Sequence, residues 1–173
     1  KGRRSRDKSL TLHAGSLYFA KLQKMIRLNL PSFEIKLGGD REHPQVYDPL
    51  RRRYVALTPE EWVRQHFIHH LIADLGYPAA LMANEVQLHV GRKSLRADSV
   101  LYNRGLSPRM IIEYKAPTVT ITQKVFDQIM AYNLQFKAPY LVVSNGLAHY
   151  CCKWSKDDEK YLFIDHLPTY ENL

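Results

Sequence analysis

Residues 96–117, RADSVLYNRGLSPRMIIEYKAP, decide how the rest of the chain is read. Two strand-like apolar runs, Ser99–Tyr102 and Arg109–Tyr114, flank a loop rich in Asn, Gly, Ser and Pro. Asp98 opens the first run, and Glu113-Tyr114-Lys115 closes the second. Side chains alternate faces along a strand, so Glu113 and Lys115 point the same way. Pairing Tyr102 with Arg109 across the loop sets Asp98 opposite Glu113. Carboxylates directly across a ladder have Cβ atoms only ~4.5–5.5 Å apart and repel each other. Something cationic is therefore expected between them, and a divalent metal beside Lys115 meets that requirement.

Working outward, the chain has several clear local signals. Thr58-Pro59-Glu60-Glu61 joins an N-cap, a proline at the first helical position and a capping-box acid at Glu61. The spacing predicts a helix from Pro59 to about Leu75, stopped at Gly76. Val63, Phe67, Leu71 and Leu75 mark its buried stripe, widened by Ile68 and Ile72. His66, His69 and His70 sit at ligand-like spacings but lack a fourth ligand nearby; a surface or phosphate-contacting role is preferred to a zinc site. Glu85–Val90 alternates as a strand and turns at residues 91–94 into the run carrying Asp98. Thr118–Phe136 reads as a second helix with Val125, Ile129, Tyr132 and Phe136 on one face. A buried strand at Pro139–Ser144 leads into an Asn145-Gly146 turn, a return strand at Ala148–Trp154 and a last strand at Tyr161–Ile164. Upstream, Ile26–Leu37 is expected as an edge strand broken at Pro31, Gly38-Gly39-Asp40 as a turn and Gln45–Leu57 as a hairpin around Asp48-Pro49. Arg51, Arg52 and Arg53 lie near its tip as a solvated or phosphate-facing run. Helix, three strands, helix, then two or three strands predicts an α/β (α+β mixed) fold with a mixed sheet flanked by helices.

Composition sets outer limits. The 173 residues are 45% hydrophobic and 24% charged, as in an ordinary globular chain. No apolar run reaches the ~20 residues that span a bilayer, so no membrane partner is expected. The only cysteines, Cys151 and Cys152, are adjacent and on a strand would face opposite ways, which suits a reducing cytoplasm. The net charge is +8, and half of it comes from Lys1, Arg3, Arg4, Arg6 and Lys8 against Asp7. Residues 1–24 are taken as a basic extension outside the fold, with Met25 as a candidate start and 25–173 as one domain. A basic tail alone decides little about partners.

In order along the chain, Asp98, Glu113-x-Lys115, then Gln128-x-x-x-Tyr132 on a helix resemble the PD-(D/E)xK nuclease superfamily. The PEEWVRQ helix start, the RADSVLY and IIEYKAP strands, the QIMAYN helix and the VSNG turn are similar to the N-terminal nuclease domain of type I restriction enzyme R subunits. Ala97 departs from the proline of the nominal motif. The helicase motor of full-length R subunits has no counterpart in these residues, so the chain reads as a stand-alone relative. Alone, Glu-x-Lys is common on surface strands; the ordered set is far more specific.

The resemblance implies a restriction-endonuclease-like sheet and Mg²⁺- or Mn²⁺-dependent cleavage of DNA. Asp98 and Glu113 would hold the ion, with the Ile112 backbone carbonyl a further ligand, and Lys115 would act on the water or the transition state. Gln128 and Tyr132 would sit at the rim of the site, although a polar residue beside a core aromatic is the plainer account of that pair. Glu61 has two readings, a helix cap or a carboxylate supporting the metal. Arg92, Lys93 and Arg96 flank the Asp98 strand as expected DNA contacts, and a homodimer or restriction or repair subunits are further partners in view. Two rivals stand beside the nuclease: a DNA-binding module of the same fold that does not cleave alone, and an acidic pair that only knits the sheet.

Overall fold

The computed structural model describes residues 26–40, 42–90 and 93–173, with the side chains of residues 88–90, 93 and 132 outside that description. The expected basic extension, the candidate start at Met25 and the tip of the turn at residues 91–92 lie outside it as well. The described residues form two sheets. A small antiparallel sheet joins β1 (Leu37–Gly39), β2 (Pro44–Asp48) and β3 (Arg53–Ala56). A six-stranded sheet runs in chain order through β4 (Met82–Val90), β5 (Lys93–Tyr102), β6 (Pro108–Tyr114), β7 (Tyr140–Ser144), β8 (His149–Ser155) and β9 (Lys160–Ile164). Every neighbouring pair in it is antiparallel except β6–β7, which is parallel and is bridged by a helix. The mixed α/β order read from the sequence is the order found.

The two helices cover opposite faces. Helix α1 (Pro59–Ala73) buries Val63, Phe67, Ile68 and Leu71 against Met82, Leu101, Met110, Ile112, Tyr114, Tyr140, Val142 and Cys151. Helix α2 (Gln123–Phe136) buries Val125, Ile129 and Phe136 against Ala97, Val100, Ile111, Leu141, Val143 and Cys152. Neighbours on one strand thus go to different helices, as strand alternation requires. The adjacent cysteines separate in this way, and both are free thiols.

Several boundaries differ from expectation. Helix α2 starts at Gln123 rather than Thr118. The stretch Thr118–Thr122 is entirely β-branched, a composition that resists helix formation, and Asn145 Nδ2 donates to the Val119 carbonyl at 2.9 Å, holding the segment as a loop. Residues 26–36 form no strand. They are fastened instead by Leu28 in the core, by the Asn29 N–H donating to Gly146 O at 2.7 Å, and by Phe33 stacking on His69. Gly38 and Gly39 belong to β1, and the turn moves to Asp40, whose Oδ1 accepts from the Glu42 and His43 amides. A Cβ at Gly38 would fall 2.7 Å from the half-exposed Tyr54 ring, which would have to shift. The hairpin around Asp48-Pro49 forms as read, as does the Asn145-Gly146 turn, where Gly146 takes φ +81.

Candidate active site

Strands β5 and β6 pair as Ser99↔Ile112, Val100↔Ile111 and Leu101↔Met110. Tyr102 faces Pro108 rather than Arg109, because the ladder shifts between Leu101 and Tyr102. The loop pairing expected from the sequence is therefore wrong, yet beyond the shift the register is the expected one. One further step brings Asp98 to the position across from Glu113. Both acids are buried, with Asp98 7% and Glu113 3% exposed.

Their surroundings differ. Asp98 Oδ1 accepts from Arg64 Nη2 at 3.0 Å and Oδ2 from the Tyr114 amide at 2.8 Å. Glu113, on the α2 face with Ile111, places Oε1 2.7 Å from both Lys115 Nζ and Gln128 Nε2. Glu113 Oε2 is buried and has no hydrogen-bond partner among the described residues. Burial, then the charge of Asp98, pushes the Glu113 carboxyl up to about 7, against the opposing pull of Lys115. Burial also raises Asp98, outweighing Arg64 and the Tyr114 amide. Lys115 lies one residue past β6, but its amide donates to Ser144 O at 2.9 Å, which extends the sheet geometry and keeps its side chain on the Glu113 side. Burial disfavours the Lys115 ammonium, yet its bond to Glu113 and the nearby acids hold its pKa above the ordinary value.

The first helix corrects a second expectation. Thr58 Oγ1 does accept the Glu61 amide at 3.0 Å. The Glu61 carboxylate does not reach back to close a capping box: it takes Arg51 Nη2 at 2.6 Å, Gln65 Nε2 at 2.7 Å and Arg64 Nη1 at 2.7 Å. Its neighbour Glu60 also feels the site: burial, then the charge of Asp98, raises its carboxyl against the opposing pull of Lys115 and Arg64. The capping pattern drew attention to Glu61. The signal for Glu60 was its four-residue spacing from Arg64, which puts both on one helix face.

Arg51 was read with Arg52 and Arg53 as a solvated run, and for Arg51 that is wrong. It pairs with Asp48 and Glu61 and lies 3.9 Å from Glu85, while Arg52 and Arg53 are exposed. Asp48 is fully buried; burial works to raise its carboxyl, but the Arg51 amide, Asn84 and the Arg51 guanidinium together hold it low. His66 is no surface residue either. It packs between Trp62 and Phe33 with Nδ1 2.9 Å from Trp62 O, and burial lowers its pKa. His69 stacks on Phe33, and His70 Nδ1 meets Asp74 Oδ2 at 2.8 Å. Arg96 has a 61% exposed side chain, with Nε 2.7 Å from Glu85 Oε2 as an ion pair off the hydrogen-bond line. Ile112 is fully buried between Ser99 and Val142. Arg92 and the side chains of Lys93 and Tyr132 lie outside the described residues.

Among the described residues, no three His, Cys, Asp or Glu side chains gather as a metal-binding group. Two carboxylates, Asp98 and Glu113, the second with a buried oxygen open among the described residues, nevertheless fit Mg²⁺, which usually takes only one or two carboxylates and keeps several waters.

No curated protein matches the chain. Among solved structures, it is similar to the fragment structure of a protein described as an HsdR subunit of a type I restriction enzyme from Vibrio vulnificus YJ016. The identity is 17% and the TM-score 0.48, over 68% of this chain and 24% of that one. The family described as type I restriction enzyme R protein N terminus matches residues 59–168, which run from the first turn of α1 past the end of β9 and include Asp98, Glu113 and Lys115. The chain belongs to the type I restriction enzyme R protein N-terminal family.

Proposed function

We propose that the chain is a Mg²⁺- or Mn²⁺-dependent DNA phosphodiesterase with Asp98, Glu113 and Lys115 as its catalytic residues. The observation that carries this reading is the divided environment of Glu113: one oxygen held by Lys115 and Gln128, the other buried and open beside a second acid. A bound divalent ion would supply a more acidic water and neutralise charge on the phosphate. Asp98 and Glu113 hold that ion, with the Ile112 carbonyl as a third donor. Gln128 fixes Glu113 so that Oε2 stays open. Lys115 spends one N–H on Glu113 and has two left for a phosphate oxygen and the attacking water, where a positioned cation stabilises developing charge. The family resemblance would put Gln128 and Tyr132 at the rim and Arg92, Lys93 and Arg96 on backbone phosphates of the DNA, and Glu60 adds negative potential. A homodimer or restriction subunits are the partners in view. A cytoplasmic setting suits two buried free thiols that face opposite helices.

One observation favours a second reading, a DNA-binding module that does not cleave by itself: each acid already has an internal counter-ion, Arg64 on Asp98 and Lys115 on Glu113. Mn²⁺ titration by electron paramagnetic resonance, with cleavage assays on supercoiled, linear and single-stranded DNA, separates the two. The nuclease binds Mn²⁺ and cuts, and Asp98→Asn loses both. DNA binding without cutting selects the module, and a wild-type chain that neither binds Mn²⁺ nor cuts ends the nuclease reading.

A further inference from the structure

We propose that Arg64 is a positioning residue: clamped by Glu61 and Glu85, its guanidinium fixes the orientation of the Asp98 carboxylate. The inference rests on the reading of Asp98 as a functional acid.

Arg64 is a helix residue with a 4% exposed side chain, and three carboxylates meet its fork. Nη1 lies 2.7 Å from Glu61 Oε2 and 2.8 Å from Glu85 Oε1, while Nη2 lies 3.0 Å from Asp98 Oδ1. Its plane rests over the Tyr114 ring at 5.5 Å. Arg64 Nε is buried without a partner among the described residues, so the group is oriented by the three acids at the cost of one of its own donors. Tyr114 is the residue between Glu113 and Lys115, and its amide takes the other Asp98 oxygen at 2.8 Å. Asp98 is therefore held at two points, one from the helix and one from the strand that carries the remaining site residues. A lysine in place of Arg64 would keep the charge and lose the planar fork.

Glu85 supplies the second observation. It is a non-glycine residue at φ +57 within β4. The pairs Asn84↔Ser99 and Val86↔Ala97 flank an unpaired step, at which Glu85 stands across from Asp98. Left-handed backbone of this kind is disfavoured for a side chain and persists where surrounding contacts hold it. Here it turns the carboxylate onto Arg64 and Arg96. A pair serving only to neutralise Arg64 is already complete with Glu61; the strained backbone adds a second anchor, which keeps Nη2 directed at Asp98.

The test follows the Tyr114 amide by hydrogen exchange, relative to Met110 and Val142 in the same sheet, together with Mn²⁺ affinity, in wild type, Arg64→Lys and Glu85→Gln. A positioning role predicts that in Arg64→Lys the Tyr114 amide exchanges at least tenfold faster relative to those neighbours and that Mn²⁺ affinity falls at least tenfold. Glu85→Gln shifts both the same way by less, and decides the matter if Arg64→Lys does not fold. A uniform rise in exchange of all three amides shows a structural ion pair only and overturns the proposal. So does a changed Tyr114 ratio with unchanged Mn²⁺ affinity. If the wild type binds no Mn²⁺, the nuclease reading falls, while the Tyr114 ratio still decides whether Arg64 orients Asp98.

Discussion

Glu61 and Glu113 are both buried glutamates in clusters of opposite charge, and they end in opposite states. Glu61 is saturated: Arg51, Arg64 and Gln65 together occupy both of its oxygens. Glu113 is half-filled: Lys115 and Gln128 share one oxygen and the other has no partner among the described residues. Burying a charge is tolerable when it is paired and fully hydrogen-bonded, and costly otherwise. Saturation fits a group that holds the fold; an open buried oxygen fits the metal-ligand role proposed for Glu113.

Replacing Glu61 by Ala leaves Arg51 and Arg64 short of a buried counter-ion and should destabilise the chain by about 3–5 kcal/mol. Chemical denaturation measures this, and a loss below about 1 kcal/mol would break the contrast from the saturated side. Lys115→Met addresses the other side. Removing a group that acts on developing charge should lower the cleavage rate by roughly 10²–10³-fold with Mn²⁺ and DNA affinity nearly unchanged. A variant that cuts at the wild-type rate would sink the role given to Lys115.

The two regions should also respond to pH with opposite sign. Glu113 is raised from an ordinary 4.5 to about 7. Between these values the folded chain keeps a proton that the unfolded chain has released. Its contribution is therefore full below 4.5 and is lost as pH rises through 7, at no more than about 1.4 kcal/mol per pH unit. Asp48 is lowered from 3.8, so its contribution is present above that value and is lost as pH falls through the folded pKa. Melting curves in EDTA should decline from pH 5 to 7, and Glu113→Gln should flatten that decline while leaving the acid limb in place. The smallest effect belongs to Arg96, on the outer rim of the saturated cluster. Arg96→Gln should change stability by less than about 1 kcal/mol, since the Arg96 side chain is 61% exposed. If it touches a phosphate, the log–log salt slope of DNA binding should become shallower by about 0.9; an unchanged slope removes it from the DNA surface.

The open half of the site was legible in the sequence because it is short-range. Asp98, Glu113 and Lys115 sit on adjacent strands joined by a short loop, and strand alternation places them. Gln128 entered only through the family resemblance, and its bond to Glu113 was not part of that reading. The saturated half was not legible, because its pairs join elements that no ladder register relates: Arg51 in the hairpin turn to Glu61 in α1, and Arg64 to Asp98 from helix to sheet. In the sequence Arg51 is one of three consecutive arginines and Arg64 one of several polar helix residues, and nothing local says which is buried. The reciprocal half of the capping box at Glu61 failed for a related reason. A capping box is a local pattern, and the tertiary pull of two arginines outweighed it. The late start of α2 was in fact present in the β-branched run and outvoted by the apolar period.

The single parallel step in the larger sheet sets an order of assembly. Strands β4, β5 and β6 follow one another as an antiparallel meander, so Asp98 and Glu113 meet through local closures. β7 can align with β6 only after the whole crossover carrying α2 has closed, a slower event because a longer loop must be ordered first. Gln128 arrives with that crossover, and the shelter over Glu113 arrives with it. During refolding the two acids should come together first, while still hydrated, and be enclosed last. Pulse-labelled exchange would show amides of β5 protected before those of β7, and simultaneous protection would remove the sequence of events. A site assembled in this order stays hydrated until the crossover has closed.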